Sequence, residues 1–173
     1  NNGEKTMNNE MLILKNVRIA YPHLYTRPTY NGQLQKYSAK LLLDPKEHAD
    51  DIKALQDRFD QMLKTHNKGA KLPSNSYCLK KGEDTGRPEY EGYYVLTSSS
   101  NQQIRVLDLA ASIVSDETQN PVYGGCYGNA KLDFWFLNKP GMSKRICSNL
   151  IAVQFYRHGD PLGHVVSEED AVT

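Results

Sequence analysis

The residues with most chemistry to offer are aromatic rings set beside cations. The chain carries 11 Tyr, 4 Phe and 1 Trp. Tyrosine suits a half-exposed surface, because its hydroxyl stays hydrated while its ring stacks. Tyr25 lies near Arg27, Tyr37 between Lys36 and Lys40, Tyr156 beside Arg157, and Trp135 shares a strand face with Lys131. Single-stranded nucleic acid asks for this pairing: bases stack on rings, for roughly 1–3 kcal/mol each, and Lys or Arg follow the phosphates. Some of these rings also have a plainer use. Tyr37 falls on the apolar face of its strand and belongs with the core. Trp135 serves equally as a platform or as the cover of a barrel end.

Formal net charge is +1, from 21 Lys and Arg against 20 Asp and Glu. The near-zero total conceals blocks of opposite sign. From Met11 to Leu43 the charged residues are Lys15, Arg18, Arg27, Lys36 and Lys40, with no acid. Gln61 to Lys81 adds Lys64, Lys68, Lys71, Lys80 and Lys81, again with no acid. Lys131 to Arg157 sets Lys131, Lys139, Lys144, Arg145 and Arg157 against Asp133 alone. The acids gather at Asp44 to Asp60, at Glu83 to Glu91 and at Glu168 to Asp170. Such segregation permits a basic face on a neutral molecule. We expect the basic blocks to converge on one cleft and the acidic helix to face away from it.

Other chemistries lack their residues. The chain has no GxxxxGK[ST], HExxH or GxSxG, which removes the usual phosphate loop, zinc protease and nucleophile elbow. Tyr123-Gly124-Gly125-Cys126-Tyr127-Gly128 is glycine-rich but precedes a strand. It offers an anion no helix N-terminus; its glycines allow a bulge or close backbone approach instead. The five histidines form no ligand-like pair. Asp50 and Asp51 sit on an exposed helix face, without the desolvation that tunes a catalytic acid. Three scattered carboxylates, Asp108, Asp116 and Asp133, keep a metal-dependent nuclease as an alternative. Cys78, Cys126 and Cys147 are odd in number and show no CxxC spacing. They fit three buried thiols in a reducing compartment rather than a disulfide framework or a zinc site.

The elements that must position these residues follow from periodicity. Leu12 to Ala20, Lys36 to Leu43, Tyr93 to Ser98, Gln103 to Leu107, Asn129 to Leu137 and Arg145 to Tyr156 read as strands. In the second, Tyr37, Ala39, Leu41 and Leu43 share one face, and Lys36, Ser38 and Lys40 the other. Between the second and third, about 45–66, Ala49, Ile52, Leu55, Phe59, Met62 and Leu63 form a helical stripe. Asp44 and Pro45 suit its N-cap and first position. The loop Tyr21 to Gln35 holds an Asn31-Gly32 turn. No apolar run approaches a membrane span. Length fits one domain. The expected organisation is a disordered leader or cloning remnant over 1–10, one domain over 11–163 and a weakly acidic flexible tail over 164–173. Met7 or Met11 would be a natural start. The fold class is mainly β: an OB-fold-like barrel of five to six strands with one inserted helix and long loops.

Several stretches taken together resemble the phage-encoded single-stranded-DNA-binding proteins with an OB-fold. They are NVRIAYPHLY (Asn16 to Tyr25), KYSAKLLLDP (Lys36 to Pro45), YEGYYVLTSSS (Tyr90 to Ser100), VYGGCYGNAKLDFWFLN (Val122 to Asn138) and LIAVQFYRHGDPLG (Leu150 to Gly163). The resemblance implies sequence-independent binding of single-stranded DNA in a basic, aromatic-lined cleft, in phage replication or recombination. It implies no catalysis and no cofactor, with action in the cytoplasm of the bacterial host. Arg18, Lys36 and Lys40 are the expected phosphate contacts. Tyr25 and Arg27 would close the first long loop on the strand, since OB-folds bind with that loop. Arg105, Lys131 and Arg145 are further phosphate candidates, and Trp135 is the stacking residue. Glu168, Glu169 and Asp170 stand where such proteins carry an acidic tail that contacts replication partners. Either a monomer or a homodimer fits. A structural barrel of a virion, with exposed tyrosines forming protein contacts, is the other non-enzymatic reading.

Overall fold

The computed structural model describes residues 10–162. The expected leader, apart from Glu10, the last residue of the expected domain, Gly163, and the expected tail, 164–173, lie outside the described residues. The strands are β1 (Leu12–His23), β2 (Thr29–Tyr30), β3 (Gln33–Leu34), β4 (Tyr37–Leu43), β5 (Leu79–Lys81), β6 (Tyr94–Ser100), β7 (Arg105–Leu107), β8 (Tyr127–Leu137) and β9 (Arg145–Arg157); the helix α1 spans Ala49–His66. Hydrogen bonding runs β5-β6-β4-β1-β8-β9-β7, and a parallel β6–β9 contact at Ser99 and Asn149 closes the ring. The closed part is therefore five strands, β1, β4, β6, β9 and β8, in the connectivity of an OB-fold barrel. β5 and β7 extend it at the margins, and α1 is inserted between its second and third strands.

Alternation sets the two faces. Ala39, Leu41 and Leu43 of β4, Leu96 of β6, Ala130, Leu132 and Phe134 of β8, and Val153 of β9 fill the barrel. Ile52, Leu55, Phe59, Met62 and Leu63 of α1 cover one end, with the Phe59 ring edge-on to Phe134 at 5.3 Å between centroids. The sixth member of the expected stripe, Ala49, is exposed, because the helix starts at Ala49 rather than near residue 45. Residues before it form a separate turn, in which Asp44 Oδ1 accepts from the Lys46 and Glu47 N–H groups. His48 stands at the N-cap position and is buried. Its ring nitrogens meet Asp51 Oδ2 at 2.9 Å and the Asn16 carbonyl at 3.1 Å, which ties α1 to the bulge in β1. Among the described residues no helix is long and apolar enough to cross a membrane.

A second, smaller cluster lies outside the barrel: Ala20, Leu42, Tyr90 and Val95, joined by Tyr21, Tyr93 and Leu162. It exists because the outward residues of β4 and β6 are not all polar. Leu42 pairs with Val95, while Lys40 pairs with Thr97 and Ser38 with Ser99. The segment Asp160 to Leu162 is fastened beside it as a strap, where the Leu162 N–H donates to the Gly124 carbonyl at 2.8 Å. The glycine-rich run is the seat for this strap: a Cβ on Gly125 would lie 2.0 Å from the Asp160 carbonyl oxygen.

Candidate nucleic-acid interface

The outward face of β4 and β6 floors a groove. Two contiguous cavities, of about 490 and 250 Å³, share Lys40, Lys80 and Thr97. Tyr21, His23, Asp84, Arg87 and Tyr90 wall the first; Tyr77, Cys78, Ser99, Arg145 and Cys147 wall the second. Trp135 continues the second wall, because β8 pairs Trp135 with Cys147. It is 37% exposed. Lys36 lies across it, with Nζ 5.6 Å from the ring centroid. One surface thus carries Lys36, Lys40, Lys80, Arg87 and Arg145 together with Tyr21, Tyr77 and Trp135.

The electrostatics follow from that crowding. Burial lowers the Lys40 ammonium pKa, and the nearby Lys80 and Arg87 charges lower it further. Its one side-chain partner is Thr97 Oγ1, at 3.0 Å. Among the described residues the ion pairs are His48–Asp51, Lys53–Asp57 and Arg87–Glu89. Of the groove cations only Arg87 therefore has a carboxylate, and loosely, at 3.7 Å. Burial pushes the Cys147 thiol up, against the opposing pull of Arg145 and Lys36. A face with several unpaired cations, half-exposed rings and hydroxyls suits a polyanion with stackable faces.

Four of the expected residues, Lys36, Lys40, Arg145 and Trp135, meet in this groove. The others do not, for separate reasons. Arg18 is on an outward position of β1, but its guanidinium donates to the Gly125 carbonyl at 3.3 Å, the Tyr93 hydroxyl at 3.1 Å and the Asp160 carbonyl at 2.7 Å. It fastens the C-terminal strap instead of offering a free charge. Tyr25 packs against the core and donates its hydroxyl to the Val114 carbonyl at 2.6 Å; burial and the acids Glu117 and Asp116 raise its pKa. It anchors the loop after β7. Tyr25→Phe is accordingly expected to cost about 1 kcal/mol in urea unfolding. Arg27 donates to the Gln35 carbonyl at 2.6 Å and braces the base of the β2–β3 hairpin, whose turn is the expected Asn31-Gly32. Lys131 and Arg105 flank Ala152 in a row across β8, β9 and β7. Lys131 sits four residues before Trp135, ~13 Å along the strand, on another part of the wall.

Sequence reasoning missed Lys80, Arg87, Tyr21 and Tyr77 as groove residues. The Lys80-Lys81 pair was visible as a charge block, but the short β5 that aims Lys80 at Lys40 was not. The acidic helix also does not turn wholly away, since Asp60 lines a cavity next to β5. Of the nuclease carboxylates, Asp108 and Asp116 accept local N–H groups from Ser112 and Thr118. Asp133 stands on β8 beside Asn149. No group of three His, Cys, Asp or Glu able to hold a metal occurs among the described residues. Cys126 is the only thiol fully buried; Cys78 and Cys147 are half-buried.

Barrel and groove together define an OB-fold protein with one basic, aromatic-edged groove. The family model described as Enterobacter phage Enc34, ssDNA-binding protein, matches residues 10–173, and the chain belongs to that family. It is 31% identical over 170 residues to "Putative protein p50" of Acyrthosiphon pisum secondary endosymbiont phage 1, covering 91% of this chain and 90% of that one. The single-stranded DNA-binding protein of bacteriophage Enc34 superposes with a TM-score of 0.78 at 27% identity, over 94% of this chain and 90% of that chain. The same phage protein in complex with ssDNA gives a TM-score of 0.79 at 26% identity, over 88% and 89%. The gp2.5 single-stranded-DNA-binding protein of bacteriophage T7 shares the fold, with a TM-score of 0.58 at 11% identity, over 95% and 93%. The expectations of a phage single-stranded-DNA-binding family, an OB-fold barrel and a protein without catalysis agree with these findings.

Proposed function

We propose that the chain binds single-stranded DNA in the β4–β6 groove without base-specific readout, in phage DNA replication or recombination within the bacterial cytoplasm. The observation that carries this is the gathering of Lys36, Lys40, Lys80 and Arg145, none paired with a carboxylate among the described residues, beside the exposed Trp135. That a similar phage protein was solved with ssDNA supports the choice of ligand. Phosphates follow the cations, and one base stacks on Trp135. Glu168, Glu169 and Asp170, beyond the described residues, are the candidates for contacts with replication proteins.

Trp135 is the only tryptophan, so intrinsic fluorescence reports on the site directly. Oligo-dT is expected to quench it at low salt. Log affinity should fall with log salt by about 0.7 per phosphate neutralised. Trp135→Ala, followed by a competition assay, should weaken binding roughly tenfold with the melting temperature held. A large drop in melting temperature with affinity retained would make Trp135 a core cover. Absence of binding at low salt would overturn the reading.

A further inference from the structure

A larger cavity adjoins the groove across β5. Its volume is about 630 Å³, within the ~300–1,000 Å³ of ordinary ligand sites. It shares Lys80 with both groove cavities and Tyr77 with one of them, so the surface is continuous. Lys71 and Lys81 stand exposed at its rim, and Tyr77 and Tyr94 are half-buried in its wall. The Tyr77 hydroxyl accepts the Leu72 N–H at 3.1 Å, which holds the Lys71 segment against the wall. Asp60 and Asp84 also line the cavity, yet neither approaches a lysine closely enough to pair, since ion pairs among the described residues lie elsewhere. Three lysines unpaired among the described residues and two half-buried tyrosines outnumber the two carboxylates of the recess and extend the groove's chemistry one step farther along.

We propose that this recess is a second arm of the interface, resting on the groove reading above. A strand filling the groove turns over Lys80 and places its next nucleotides against Tyr77 and Tyr94, with phosphates on Lys71 and Lys81. The groove alone then sets affinity for short oligomers, and the recess adds affinity only for longer ones.

The test is a length series of oligo-dT titrated against the full chain and the Lys71→Ala/Lys81→Ala double variant. Both substituted residues are exposed, so the fold should be kept. Short oligomers should bind both proteins alike. With longer oligomers the wild type should gain affinity and the double variant should not. Its salt slope on them should be shallower by about 1.4, two phosphates at about 0.7 each. Short-oligomer binding with an unaltered length dependence and salt slope would overturn the second arm alone. Failure of both proteins to bind any oligomer would overturn the groove and the second arm together.

Discussion

Replacing Lys40 with methionine should make the protein more stable and a poorer ligand for single-stranded DNA. Lys40 projects from the middle of β4 into the groove, beside Thr97 and above the Leu42–Val95 pair. It has no carboxylate partner among the described residues, and burial with the fields of Lys80 and Arg87 lowers its pKa. Removing a cation from water without a counter-ion destabilises a fold. A phosphate arriving in the groove would supply that counter-ion. Methionine keeps the aliphatic volume and removes the charge, so the melting temperature should rise. A charge-assisted hydrogen bond contributes about 1.5–3 kcal/mol, so affinity should fall roughly ten- to hundredfold. The sign of the pH dependence gives a second readout. The folded-state pKa lies below the ordinary 10.5, so between the two values the unfolded chain holds more protons. Wild-type stability therefore gains a contribution as pH rises through the folded pKa toward the unfolded one. Lys40→Met lacks that gain, and its lead in melting temperature should narrow in alkali. Equal stability and unchanged affinity would remove Lys40 from the interface.

Much of the fold was legible because it rests on short-range periodicity. The alternation of Tyr37 to Leu43 separated the core residues from Lys36, Ser38 and Lys40, and the spacing of Ile52 to Leu63 marked the covering helix. The glycine-rich run read as a place of close backbone approach, and Gly124 and Gly125 seat the strap. The site was less legible, because sheet register decides which charges meet, and register is a long-range property. Arg87 stands between Asp84 and Glu89, inside a block that reads as acidic, yet it lines the same cavity as Lys40 and Lys80. Arg18 and Ala20, which pairs with Lys40, point to the same side of β1. What separates Arg18 from the groove is a set of acceptors on Gly125 and Asp160, more than a hundred positions away. Nothing near Arg18 in sequence announces them. Tyr25 is similar: its neighbour Arg27 suggested a ligand, and its acceptor on Val114 is 89 positions distant.

The strap gives the other large effect, in stability. Gly125 has φ of +110°, and a Cβ there would lie 2.0 Å from the Asp160 carbonyl oxygen and 2.8 Å from the Leu162 nitrogen. Neither neighbour is a side chain that can swing aside; both are backbone of the strap, which must lift. Gly125→Ala should therefore cost about 3 kcal/mol from strain and overpacking, roughly 6–12 °C in melting temperature for a domain of this size. Arg18→Ala removes a donor to the strap at Asp160 and one to its seat at Gly125, and should cost about 2 kcal/mol. Because either change releases one segment, the double variant should lose less than the sum, a coupling that a double-mutant cycle in urea would resolve. Arg18→Ala should meanwhile keep the wild-type salt slope on oligo-dT, since its charge is committed to carbonyls rather than phosphates. Additive losses together with a slope shallower by about 0.7 would return Arg18 to the phosphate contacts. They would also detach the strap from the role assigned to it. Sub-additive losses with an intact slope would establish that β1 lends its arginine to holding the strap rather than to a phosphate.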